Sequence, residues 1–189
     1  LAKAKLSAVL RAWQGLGYNR RGKMLHESAQ ALASLKSFPR TPQALERLPG
    51  IGPYTACAVL TFAYNIDTIF IETNIRTAVT HHFFPRKKVV HDREVLQILE
   101  NTLPMGNARE WYTALMDYGA HLKRSGVRIN AKAKGYTKQS VFRGSNREAR
   151  GALLKELAKG SASKKRLIGI LGDDRTAQVF TQLQALQSE

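Results

Sequence analysis

The six residues Leu48-Pro49-Gly50-Ile51-Gly52-Pro53 constrain the fold of this chain more than any other stretch. Two prolines bracket two glycines, so the segment continues neither a helix nor a strand, and glycine supplies the positive-φ freedom that a tight turn needs. Both flanks read as helices. Thr41 followed by Pro42 is an N-cap with proline at the first helical position, opening a short helix over 42–48. After the turn, Tyr54 leads into the apolar run Thr55-Ala56-Cys57-Ala58-Val59-Leu60-Thr61-Phe62-Ala63, which predicts a buried helix. The first N–H groups of such a helix have no intrahelical acceptor and sit at the positive end of its dipole, so the turn offers an anion site. A plain hairpin turn with no ligand is the competing reading.

The rest of the chain predicts more helices and no strand, because no alternating apolar stretch of any length occurs. Leu6, Val9, Leu10 and Trp13 are helically spaced, glycines at 15, 17 and 22 break the pattern, and Met24, Leu25, Ala29, Leu32 and Leu35 resume it until Phe38-Pro39. Asn74 to Phe84, Arg93 to Leu103 and Ala108 to Lys123 fit three further helices. Three shorter ones begin near Arg147, Arg166 and Thr176, at a spacing that suggests a partial winged-helix unit whose wing lies beyond Glu189. The expected class is therefore all-α. Leu1 already lies inside an amphipathic pattern without a preceding methionine, so the sequence reads as a piece that has lost its start.

Charge narrows the partner. Thirty Lys and Arg against 14 Asp and Glu give a net charge of +16, a surface that attracts polyphosphate. Nucleic acid leads and an anionic membrane surface is the competitor, although no run approaches the roughly twenty apolar residues that span a bilayer. The excess concentrates over 123–150, where Lys123, Arg124, Arg128, Lys132, Lys134, Lys138, Arg143, Arg147 and Arg150 face only Glu148. That stretch reads as a basic, loop-like connector, with Lys132, Lys134 and Lys138 its candidate phosphate contacts. The single cysteine excludes an internal disulfide and a four-cysteine iron–sulfur site, and it points to a reduced, cytoplasmic chain.

Four motifs in order carry a resemblance. Trp13-Gln14-Gly15-Leu16-Gly17-Tyr18 comes first, then Leu48-Pro49-Gly50-Ile51-Gly52-Pro53-Tyr54-Thr55-Ala56, then Ile69-Phe70-Ile71-Glu72-Thr73-Asn74-Ile75-Arg76, and last Ala114-Leu115-Met116-Asp117-Tyr118-Gly119-Ala120. Over about residues 6–122 the chain resembles the helix–hairpin–helix base-excision DNA glycosylase superfamily, and within it the A/G-mismatch adenine glycosylases. The resemblance implies two helical subdomains: residues 1–66 as part of a six-helix barrel with the hairpin, and 67–122 as a second subdomain. A basic connector over 123–146 and the winged-helix-like unit over 147–189 would follow. It implies a monomer on double-stranded DNA, associated with the nucleoid.

The site follows position by position. The resemblance puts a monovalent cation on the carbonyls of Glu46, Leu48 and Ile51, and a DNA phosphate on the amides around Leu48, Gly50, Ile51, Gly52, Tyr54 and Thr55. Glu72 falls where the family has its catalytic aspartate, a carboxylate that stabilises the charge building on the sugar as the glycosidic bond breaks. Tyr54 falls where bifunctional members carry a Schiff-base lysine, so hydrolysis without strand cleavage is expected. Arg76, one turn beyond Glu72, has three open roles: pairing with that carboxylate, a phosphate contact, or a surface charge.

This sequence departs from the family in three places. Glutamate at 72 is one methylene longer than the usual aspartate. The glutamate that protonates the leaving base in the adenine branch belongs to a helix ahead of Leu1. The four cluster cysteines that usually follow the Met116-to-Ala120 segment are missing, and Lys123 to Gly144 stands in place of the cluster loop, leaving packing of the 108–122 helix as the evident support for the second subdomain. The expected reaction is excision of adenine opposite guanine or oxidised guanine. Alternatives are a thymine or uracil glycosylase acting on G:T or G:U pairs, which Tyr54 also suits, and a catalytically silent DNA-binding module. Cys57, Trp111 and Tyr112 read as core residues, His81 and His82 lack further metal ligands at suitable spacing, and Asp117 reads as a helix cap or pairing partner.

Overall fold

The computed structural model describes residues 1–134, 136–137 and 139–188, so Lys138 lies outside the described residues. Ten α-helices occur among them: α1 Leu6–Ala12, α2 Asn19–Ala33, α3 Pro42–Glu46, α4 Pro53–Tyr64, α5 Thr73–Phe83, α6 Asp92–Thr102, α7 Ala108–Arg124, α8 Asn146–Leu157, α9 Lys164–Leu171 and α10 Thr176–Gln187. No strand is present among the described residues, only an isolated parallel bridge between Val90 and Ala133. The all-α expectation is met. No helix among them is long and apolar enough to cross a membrane.

The chain forms two compact units, Phe38–Lys138 and the combination of Leu1–Ser37 with Gln139–Glu189. The Phe38–Lys138 unit is built on a core of Phe70, Ile75, Val79, Val90, Val95, Leu99, Ala108 and Tyr112. α5 lies along α7 as its principal neighbour. Tyr112 anchors this core: fully buried, its ring stacks on Phe70 with centroids 4.1 Å apart. Its hydroxyl donates to the Thr68 carbonyl at 3.1 Å and accepts from the Phe70 amide at 3.4 Å, so the buried phenol has partners. Burial pushes that phenol up to about 12. Cys57 packs against the same core, its thiol pushed up chiefly by burial.

In the other unit the sequence expectation is corrected. Gly22 does not break a helix but lies buried inside α2, which starts at Asn19 and ends at Ala33, short of Phe38. A Cβ at Gly22 would stand 2.9 Å from the Trp13 ring, so the glycine is there to let the ring close. Trp13 also donates its indole N–H to the Gly17 carbonyl at 2.9 Å, fixing the turn that ends in Tyr18. Tyr18 in turn accepts from Gln139 and from Arg147. The last three helices pack around Leu153, Leu167 and Val179, with Ser145 and Ser163 as N-caps of α8 and α9. The structure shows three packed helices there and, among the described residues, no accompanying strand.

Candidate active site

The hairpin forms as its residues dictate. Thr41 caps α3, its hydroxyl accepting from the Ala44 amide at 3.3 Å, and the helix ends at Glu46, so Leu48 belongs to the turn and not to the helix. The Leu48 amide donates to the Leu45 carbonyl at 3.0 Å and the Ile51 amide to the Leu48 carbonyl at 3.2 Å, while Gly50 takes φ +73°. A side chain is strained at that angle and glycine is not. Gly52 is the N-cap of α4 and brings no side chain to it, and Pro53 has no N–H. The Ala56 amide reaches the Gly52 carbonyl at 2.9 Å. Tyr54 and Thr55 therefore occupy the first turn, where amide N–H groups precede the first intrahelical bond and no capping side chain competes for them.

Glu72 is placed by a second helix start. It is the N-cap of α5, and its Oε1 accepts from the Asn74 amide at 2.5 Å and the Ile75 amide at 2.8 Å. Both bonds fall on one oxygen, so the half-buried carboxylate is oriented while Oε2 is left without a hydrogen-bond donor among the described residues. Tyr54 joins it from the hairpin side. Burial raises the Tyr54 phenol above its ordinary value and the Glu72 carboxylate adds to the rise, while the ring meets Phe70 edge-on at 5.7 Å. The Tyr54 phenol, on the first turn of α4, thus lies close enough to the Glu72 carboxylate to feel its charge.

Arg76 does not pair with Glu72. Its Nη2 donates to Asp92 Oδ1 at 2.8 Å, because α6 brings Asp92 to that face, and its Nε is buried without a partner. A polar cleft of about 300 Å³ opens beside it, lined by Thr73, Arg76, Asp92, Asn130, Tyr136 and Thr137. The basic stretch is less loop-like than its composition suggests. Lys123 and Arg124 complete α7, Asn130–Lys132 form a 3-10 turn, and α8 starts at Asn146. Lys132 turns its ammonium to the Pro85 carbonyl at 2.9 Å, whereas Lys134 is exposed.

Two residues beside Glu72 escaped the sequence reading. Gly119, in the middle of α7, faces the backbone of Asn74: a Cβ there would stand 2.0 Å from the Asn74 carbonyl oxygen. Lys123, one turn further along, donates to Asn74 Oδ1 at 2.6 Å. A glycine inside an amphipathic helix was the available signal for the first. His82 meets the Tyr118 hydroxyl at 2.9 Å, and no three His, Cys, Asp or Glu side chains among the described residues are grouped to hold a metal. Asp117 lines a separate cleft of about 480 Å³ with Asn65, Asn107, Arg109, Glu110 and Thr113.

The adenine DNA glycosylase of Mycolicibacterium smegmatis is 34% identical over 171 residues, which are 81% of this chain and 58% of the relative. By sequence, the chain is similar to the adenine DNA glycosylases, which supports the helix–hairpin–helix glycosylase resemblance. The adenine DNA glycosylase of Mycobacterium tuberculosis is 39% identical over 127 residues, 63% of this chain and 41% of that protein. The one of Mus musculus is 38% identical over 78 residues, 40% of this chain and 15% of the relative. The chain thus spans less than two thirds of the length of these glycosylases. No protein-family model matches it. With its one cysteine inside α4, this chain lacks the thiolates of a four-cysteine cluster, so its residues do not fit that group.

Proposed function

We propose that this protein is a monofunctional DNA glycosylase that removes adenine mispaired with guanine or oxidised guanine. The observation that carries the reading is a carboxylate with one oxygen tied to a helix start and the other open, next to a hairpin whose first helical amides await an anion. The glycosidic carbon is unreachable inside a base stack, so the nucleotide is extruded first. The Tyr54 and Thr55 amides then hold a backbone phosphate, with Arg76, Lys134 and exposed basic residues such as Arg124 and Arg128 along the duplex. A monovalent cation on the Glu46, Leu48 and Ile51 carbonyls would stiffen the turn. The Leu48 carbonyl already accepts from Ile51 and retains a second lone pair for that purpose.

The C1′–N9 bond breaks with its electron pair leaving on adenine, protonated at the base by a general acid, and positive charge grows on the sugar. Oε2 of Glu72 faces that charge. Water then adds through oxygen to C1′ and its proton passes to the carboxylate, giving free adenine and an abasic site. Tyr54 carries no amine, so no Schiff base forms and the strand stays intact. The relatives named for adenine favour this over thymine or uracil excision, whereas the acidic position and the hairpin serve either reading. Single-turnover reactions of the full-length protein on A:oxidised-G, A:G, T:G and U:G duplexes, developed with alkali, test it. Cleavage confined to the adenine duplexes, and absent without alkali, is expected. Cleavage of T:G or U:G alone overturns the substrate, and cleavage of none overturns the activity.

A further inference from the structure

A second helical subdomain of this superfamily that has no cluster to tie its last loop needs another support, and packing of α7 is not the only one present. Residues 123–134 are stitched to α5 and to the 85–90 segment at four places. Lys123 Nζ donates to Asn74 Oδ1 at 2.6 Å. The Thr77 hydroxyl meets the Asn130 side chain at 3.1 Å. Lys132 Nζ donates to the Pro85 carbonyl at 2.9 Å. The Val90 amide donates to the Lys132 carbonyl at 2.9 Å and the Lys134 amide to the Val90 carbonyl at 3.1 Å, closing the lone parallel bridge around Val90, itself a core residue. A stretch whose sequence reads as a basic, loop-like connector is therefore, from Lys123 to Lys134, a fixed part of the fold.

One of these ties reaches the site. Asn74 receives Lys123 on its side-chain oxygen and gives its backbone N–H to Glu72 Oε1, while its carbonyl rests against Gly119. α7 thus holds Asn74 from two sides, and Asn74 in turn holds the carboxylate. We propose that residues 123–134 are a metal-free brace standing in for the cluster loop, and that Lys123 is a positioning residue that sets the Glu72 carboxylate through Asn74. Lys123 is half-buried in doing so, unlike the exposed Arg124 and Arg128, and it serves the structure of the site and not the phosphates. An ammonium bound to a neutral amide keeps its charge, so this basic position adds to the protein's long-range attraction for DNA without touching it. The catalytic half of the inference rests on the glycosylase reading; the brace does not.

Lys123→Met keeps the length of the stem and removes the donor, while Lys123→Arg retains a donor. In the full-length protein, three quantities separate the roles: exchange of the Asn74 and Ile75 backbone amides, the single-turnover excision rate at saturating A:oxidised-G duplex, and duplex affinity. The methionine variant is expected to speed exchange of both amides at least about tenfold and to lower the saturated rate about ten- to a hundredfold, as ångström-scale misplacement of a reacting group does. Affinity should stay within about threefold, and arginine should restore much of both losses. Unchanged exchange overturns the proposal, as does weakened affinity with an unchanged saturated rate, the mark of a phosphate contact. If Lys123→Met does not fold, Asn74→Ala deletes the acceptor and keeps the amide, and unchanged exchange at Ile75 then overturns the proposal. Should the parent protein cut no duplex, the glycosylase reading falls while amide exchange still decides the brace.

Discussion

Replacing Gly119 by alanine puts the close approach of α7 to the Asn74 backbone under direct load. In an exposed helix interior the change would stabilise by about 1 kcal/mol, because glycine pays more backbone entropy than alanine. Here the new Cβ would stand 2.0 Å from the Asn74 carbonyl oxygen, 2.5 Å from its carbon and 2.9 Å from its Cα, whereas ordinary contact begins at 3.4 Å. The obstacle is backbone and cannot rotate away, so the start of α5 and the middle of α7 must separate by more than an ångström. Overpacking of this kind costs about 1–3 kcal/mol and occasionally more, enough to cancel the helix-propensity gain or exceed it. The effect on chemistry is larger. The displaced residue donates to Glu72, and a misplacement of about 1 Å costs on the order of a hundredfold in rate. Chemical denaturation gives the first number and single-turnover excision the second. A Gly119→Ala protein that is more stable than the parent and cuts within twofold of its rate would refute the packing on which the site is built.

Gly22→Ala presses a Cβ to 2.9 Å from Cγ and Cδ2 of Trp13, at the root of a side chain already held by its indole bond. Overpacking of about 1–3 kcal/mol therefore outweighs the helix-propensity gain of about 1 kcal/mol, and a net loss of about 1 kcal/mol in denaturant is expected without loss of excision rate. Tyr112 bears on pH. Its folded phenol titrates near 12, above the ordinary 10, so between those values the unfolded state has released its proton and the folded state has not. Stability should therefore fall as pH rises above about 10, and Tyr112→Phe should flatten that fall while costing about 1 kcal/mol at neutral pH through the lost hydroxyl bonds. Lys134→Ala should reduce the log–log salt slope of duplex binding by about 0.9 if the residue meets a phosphate.

The helices were legible because local chemistry sets them: Thr41-Pro42 starts α3 and the Pro-Gly-Ile-Gly-Pro turn separates it from α4. The order of motifs along the chain singled out Tyr54 and Glu72, and the structure places them at the starts of α4 and α5. Long-range geometry was not legible. Gly22 looks like a helix breaker until Trp13 is laid against it, a contact between separate helices. Arg76 offers Glu72 one turn away as a partner, yet α6 delivers Asp92, and nothing local to Arg76 announces α6. Charge composition is silent on such ties for a similar reason. Lys123 and Lys132 count toward a basic surface, yet each ammonium also donates to an oxygen of the same unit, Lys123 in a part-buried bond and Lys132 in an exposed one.

Glu72→Gln is the sharpest test of the central claim that this carboxylate does the chemistry. The substitution keeps an oxygen for the Asn74 and Ile75 amides, so the cap and the fold should persist, and only the negative charge facing the sugar is lost. Measured in single turnover on an A:oxidised-G duplex, the variant should excise at least about a hundredfold more slowly than the parent, with affinity for the duplex equal or tighter. An excision rate within a few-fold of the parent would contradict the account and send the search for the catalytic group elsewhere in the chain.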